Sequence, residues 1–145
     1  MKESHLTQIK DIDWPSFNTA YGPAHRVPDQ IVNLGSDQQE VALKAAHDLW
    51  CGLCHQHAYI SSASLPAFPY IMATLEIAND LVSIEILDIL VGFSSCDTDG
   101  VSHQDWISSL HQCMRQEQPK FMLLAENGNP IIADFANTIL ENLKQ

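Results

Sequence analysis

Apolar residues recur every three to four positions along most of the chain, and the two-residue alternation of strands is scarce, so the pattern predicts helices. The first clear one begins at Ser36, where Gln39 three residues on completes a capping-box pattern. Val41, Ala45, Leu49 and Leu53 make an apolar stripe that Ala42, Ala46 and Trp50 widen, while Glu40, Lys44 and Asp48 take the other side; the helix ends near His55. Hydroxyls in Ser61-Ser62-Ala63-Ser64 can cap a second helix, with Pro66 and Pro69 in its first turn, running through Ile71, Met72, Leu75 and Ile77 towards Asn79. A third, Asp80 to about Ser95, is apolar almost all round and belongs between neighbours. After a turn at Asp97-Thr98-Asp99-Gly100, Ser102 caps a fourth through Trp106, Leu110 and Met114. Gln118-Pro119 opens a short fifth that Asn127-Gly128 stops, and Asn129-Pro130 starts the last through Ile132, Phe135, Ile139 and Leu143. Pro15, Gly22, Pro23, Pro28 and Gly35 limit residues 1–35 to short helical pieces.

Helix pairs begin near 36, 80 and 119 in this reading, spacings of 44 and 39 residues. Those lie close to the ~40–47 residues of HEAT and armadillo repeats, in which each hairpin buries its apolar face against the next. The expected fold is therefore all-α: a short α-solenoid of about three helical hairpins over 36–145, preceded by an irregular helical cap over 1–35, in one domain spanning 1–145.

Trp14, Tyr21-Gly22-Pro23-Ala24 and Val27-Pro28 are followed by Leu49-Trp50-x-Gly52-x-x-His55-Gln56, Tyr59 and Pro66-Ala67-x-Pro69. Together they resemble a group of bacterial HEAT-like repeat proteins, which carry a Tyr-Gly segment, a helix end ending in His-Gln and a Pro-containing helix start. The resemblance covers roughly residues 12–78; Cys51 and Cys54 depart from its pattern. It implies an α-solenoid used for protein binding, and small proteins of this kind include immunity proteins that block a toxin delivered by neighbouring cells. It brings no catalytic residue with it.

Charge sharpens that expectation. Among 145 residues, seven Lys and Arg face eighteen Asp and Glu, a formal net charge of −11. Residues 45–114 hold no Lys or Arg but eight acids: Asp48, Glu76, Asp80, Glu85, Asp88, Asp97, Asp99 and Asp105. Such a surface repels phosphate backbones and anionic lipid and suits a cationic partner. The hydrophobic share of 46% is ample for a packed core, which argues against disorder. The N-terminus lacks the apolar core of a secretory signal, and the apolar stretch Leu81–Phe93 is too short and too charged to span a bilayer. Four cysteines in that setting read as reduced thiols, so a cytoplasmic protein is expected.

The sharpest local motif is Trp50-Cys51-Gly52-Leu53-Cys54-His55. As Cys-x-x-Cys-His it matches a haem-attachment site, and as Trp-Cys-Gly-x-Cys a thioredoxin-type redox motif, which needs a strand before it. Adding His57 makes a zinc reading, although four ligands within seven residues rarely converge on one ion. The simplest reading is a helix end: Cys54 as a small hydrophobe, His55 beside terminal carbonyls. Asp97-x-Asp99-Gly100 starts like a calcium loop but lacks its closing acid, and Ser102, His103 and Asp105 have no nucleophile elbow around them.

No cofactor, metal or catalytic residue is assigned. The expected function is a non-enzymatic immunity protein or antitoxin that neutralises a cationic toxin, a nuclease first, since enzymes that grip phosphate need basic clefts. The contact residues expected are Glu85, Asp88, Asp97, Asp99, Asp105 and Trp106. The alternatives are a HEAT-repeat adaptor for another protein, and a haem or thiol redox protein using Cys51, Cys54 and His55.

Overall fold

The structure is a computed structural model that describes residues 8–96 and 105–144. The expected turn at 97–100 and the Ser102 cap lie outside the described residues. The fold is all-α, with one two-residue-stranded hairpin. Helix α1 spans Val27–Leu34, α2 Gln39–Leu53, α3 Ser64–Leu75, α4 Asp80–Ser95, α5 Asp105–Gln116, α6 Gln118–Leu124 and α7 Pro130–Leu143. Ahead of them, Trp14 anchors the N-terminal segment by donating its indole N–H to the Ile9 carbonyl at 2.8 Å. Strands β1 (Asn18–Thr19) and β2 (Gly22–Pro23) pair antiparallel, Asn18 opposite Pro23. Gly22 has φ +114°, a conformation that L side chains rarely adopt, and this is why the Tyr-Gly pair sits in this hairpin.

Helix α4 is the centre. Leu87, Ile86, Ile89, Leu90 and Phe93 are fully buried, and the helix packs on α2, α3, α5 and α7. Its β-branched residues are mediocre helix formers, so burial holds it together: each large side chain contributes ~1.5–3 kcal/mol. The expected start at Asp80 is right, with Asn79 accepting from the Val82 amide at 3.0 Å.

Three side-chain bonds fix how neighbouring helices run. At the N-terminal ends, Asn79 donates to Gln39 Oε1 at 3.0 Å, and Asn129 donates to Asp80 Oδ2 at 3.4 Å. At the far end Asn142 of α7 donates to Ser94 Oγ of α4 at 3.0 Å. Residues after α2 also meet the last turns of α4, so α2, α4 and α7 run parallel and in register. Against this row lie α1, α3 and α5: α1 packs on α3, and α3 on α5.

Local expectations fail at three places. Ser36 does not cap α2; its hydroxyl accepts from the Gln38 amide at 3.1 Å, and Gln39 bonds across to α4 instead of back to the cap. Pro69 lies inside α3 rather than in its first turn, where it has no amide to donate to the Leu65 carbonyl one turn back. Short turns join α1 to α2 and α3 to α4, one helix out of phase with the pairs expected to begin near 36 and 80, whereas α6 and α7 form the pair expected near 119. The proline of Val27-Pro28 explains the slip: it sits at the start of α1, where a missing amide donor costs nothing.

Candidate functional site

Helix α2 stops at Leu53, two residues earlier than its pattern suggests, and the chain then turns sharply through His55–His57. His55, Gln56 and His57 all have left-handed backbones, with φ of 42°, 56° and 68°. No glycine relieves them. Such residues cost of order 1–3 kcal/mol each and persist where surroundings over-determine them. Here the surroundings are visible. The His57 ring donates from Nε2 to the Asp88 carbonyl at 2.8 Å and to its carboxylate at 3.0 Å. Gly92 lets α4 approach the turn; a Cβ there would stand 2.8 Å from Cys54 Sγ and 2.9 Å from His57 Cδ2. Tyr59 packs on the His55 ring at 4.8 Å between centroids, and Tyr21 meets it edge-on at 6.1 Å.

Tyr21, Gly22, Trp50, Gly52, His55 and Tyr59, which carry the resemblance noted in the sequence, thus meet around one elbow. The Ala20 amide donates to the Gly52 carbonyl at 2.8 Å, seating the β-hairpin on α2. Two buried nitrogens there, Trp50 Nε1 and His55 Nδ1, have no hydrogen-bond partner among the described residues.

The cysteines of the motif are unequal. Cys54 is fully buried, donates to the Trp50 carbonyl at 3.4 Å, and burial pushes its thiol up to about 12. A thiol so raised stays protonated near neutrality and is a poor nucleophile. Cys51 lies 3.6 Å from His47 Nε2, one turn back on α2. The motif follows a helix rather than a strand, which removes the thioredoxin context. Among the described residues no three His, Cys, Asp or Glu side chains converge as metal ligands.

A cleft of about 780 Å³ opens beside this elbow, between the β-hairpin, the start of α1 and one face of α2. Its polar lining includes His25, Arg26, Lys44, His47, Asp48 and Cys51. Lys44 and Asp48 pair with each other at 2.8 Å, so the cleft presents a mixed rather than a single-sign field.

The acids expected to make contacts are dispersed. Glu85 is exposed midway along α4 and shares its outer stripe with Leu81 and Asp88. Asp88 is half-buried and bound to His57, an internal tie across 31 positions that no local pattern announces. Asp105 is exposed at the start of α5; Trp106 beside it is half-buried and packed against the core. Asp97 and Asp99 lie outside the described residues. His111 donates from Nε2 to the Phe93 carbonyl at 2.9 Å, capping the last turn of α4 and fastening α5 to it.

Comparison with protein-family models, with curated proteins and with solved structures finds no match. No described helix is long and apolar enough to cross a membrane.

Proposed function

We propose that the chain is a non-enzymatic protein-binding module, a short HEAT-like stack that neutralises a cationic protein toxin in the cytoplasm, a nuclease being the favoured class. The stack is supported by the parallel set α2, α4 and α7 with α1, α3 and α5 laid against it, the relation expected of equivalent helices in successive hairpins. The reading as a binder of cations rests on how few basic residues there are and how most are engaged: among the described residues Lys10 and Arg26 are exposed without an ion pair, and the other four are held. Lys44 pairs with Asp48 at 2.8 Å, Lys144 with Glu141 at 3.2 Å, and Lys120 with both Glu76 and Glu117. Arg115 donates to the Leu143 carbonyl at 3.1 Å, at the C-terminal end of α7. Glu40, Glu85, Glu126 and Asp134 are exposed, and among the described residues none has a Lys or Arg within pairing distance.

That unneutralised field would speed encounter with a basic partner and exclude nucleic acid from it. Glu85 contributes to it from the surface, whereas Asp88 gives its carboxylate to His57. The buried thiol of Cys54 counts against the redox alternative. Immunity genes adjoin their toxins, so the test is co-expression with the products of the adjoining genes. One product should arrest growth alone, be tolerated with this chain, and co-purify with it. A neighbouring product that is harmless alone yet binds this chain would make it an adaptor instead.

A further inference from the structure

Seven large hydrophobic side chains are exposed among the described residues, and six lie at one end of the molecule: Val32, Ile77, Leu81, Met122, Leu123 and Ile131. Singly such residues mean nothing. Their common placement follows from bonds between the turns that carry them. Val32 is near the end of α1, whose four-residue connection leads to Gln39; Gln39 bonds Asn79, which stands between Ile77 and Leu81. Asp80 bonds Asn129, two residues before Ile131. Glu76, next to Ile77, binds Lys120, which precedes Met122 and Leu123 on α6. Leu123 is 73% exposed, Ile77 63%, Leu81 55% and Ile131 51%, far more than a packed face would leave in water.

The same end is acidic. Asp37, Glu40, Asp80 and Glu126 stand on its turns and first helical residues, and its lysine, Lys120, is held between two glutamates. A second copy of the chain would bring another net charge of −11 against it, and anionic lipid would be repelled in the same way.

We propose that this turn end is the docking surface, and that its occupant is a basic amphipathic segment of the partner protein, whose apolar side chains cover Leu81, Ile131 and Leu123 while its lysines or arginines meet Asp80 and Glu126. This rests on the cationic partner proposed above and says where that partner is held. The division of labour follows from the chemistry. The acidic surface as a whole governs the on-rate, and the apolar anchors, desolvated in the complex, govern the off-rate.

Two synthetic helical peptides test it, one of lysine and leucine patterned with an apolar face, the other with every leucine replaced by serine at the same charge. Binding kinetics to the full chain should show the lysine–leucine peptide held at least tenfold more tightly. L81S combined with I131S, both exposed and so compatible with folding, should raise its off-rate about tenfold and leave the on-rate within twofold; circular dichroism checks that helicity is kept. Equal affinity for both peptides, or an off-rate unmoved by L81S and I131S, overturns the docking surface while leaving a cationic partner standing. Failure of both peptides to bind removes the cationic partner and the surface together. Concentration-dependent dimerisation of the chain alone, abolished by the same substitutions, assigns the face to self-association and also overturns the proposal.

Discussion

Gln56 shows how one backbone angle records the demands of its neighbours. It sits exposed at φ 56° between His55 and His57, whose rings are engaged by Tyr59 and Asp88, so the conformation is imposed from both sides. Its own side chain does little beyond a 3.8 Å contact with Cys51 Sγ. Gln56→Gly should therefore stabilise the fold by about 1 kcal/mol, the cost of a left-handed L residue, measured by urea unfolding. An unchanged or lower midpoint would mean that Gln56 contributes more than geometry suggests. Cys54 makes a second prediction. Burial lifts its thiol from the ordinary 9.0 to about 12 in the folded chain, so the stability tied to the protonated thiol is intact below pH 9 and is lost as pH rises through 12. The melting temperature of the native chain should fall more steeply between pH 9 and 11 than that of Cys54→Ala. Parallel curves would contradict this. The Cys-x-x-Cys-His run was legible as a helix end, yet nothing local marked Gly92 as required: its reason is a clash with Cys54 and His57, brought beside it only by folding.

Elements differ in how plainly their sequence announces them. The limits of α4 and the start of α7 are readable because Asn79 and Asn129 act locally, each accepting a hydrogen bond from an amide two or three residues on. Gln39 belongs to a capping-box pattern but serves a tertiary bond, and α1 hides behind a proline that merely marks its first turn. Periodicity placed the helices and could not say which short turns join partners, since every helix here offers an apolar face to more than one neighbour. Asn79 tests the coupling between elements. It caps α4 and holds α2 through Gln39, so Asn79→Ala should cost about 1–2 kcal/mol, whereas Gln39→Ala, which loses only an exposed bond, should cost roughly 0.5 kcal/mol. Equal effects in thermal unfolding would show that the inter-helix bond, not the cap, dominates.

For the whole molecule, charge was legible from composition alone, and the place where it acts was not. Glu85, Asp88 and Asp105 stand out in the sequence because no Lys or Arg interrupts them, but in the fold Asp88 is tied inward to His57. The six exposed apolar residues fall in four separate parts of the chain and gather only when α2, α4 and α7 align their N-terminal ends. A binder of this form needs both features: a field to attract its partner and an apolar centre to retain it. The most direct test is an amide chemical-shift map of the full chain titrated with the lysine–leucine peptide. The account predicts that shifts concentrate at residues 32–40, 76–82 and 122–132 and shrink as salt is raised. Shifts confined to the elbow at 54–59 and the cleft beside it, or insensitive to salt, would contradict it.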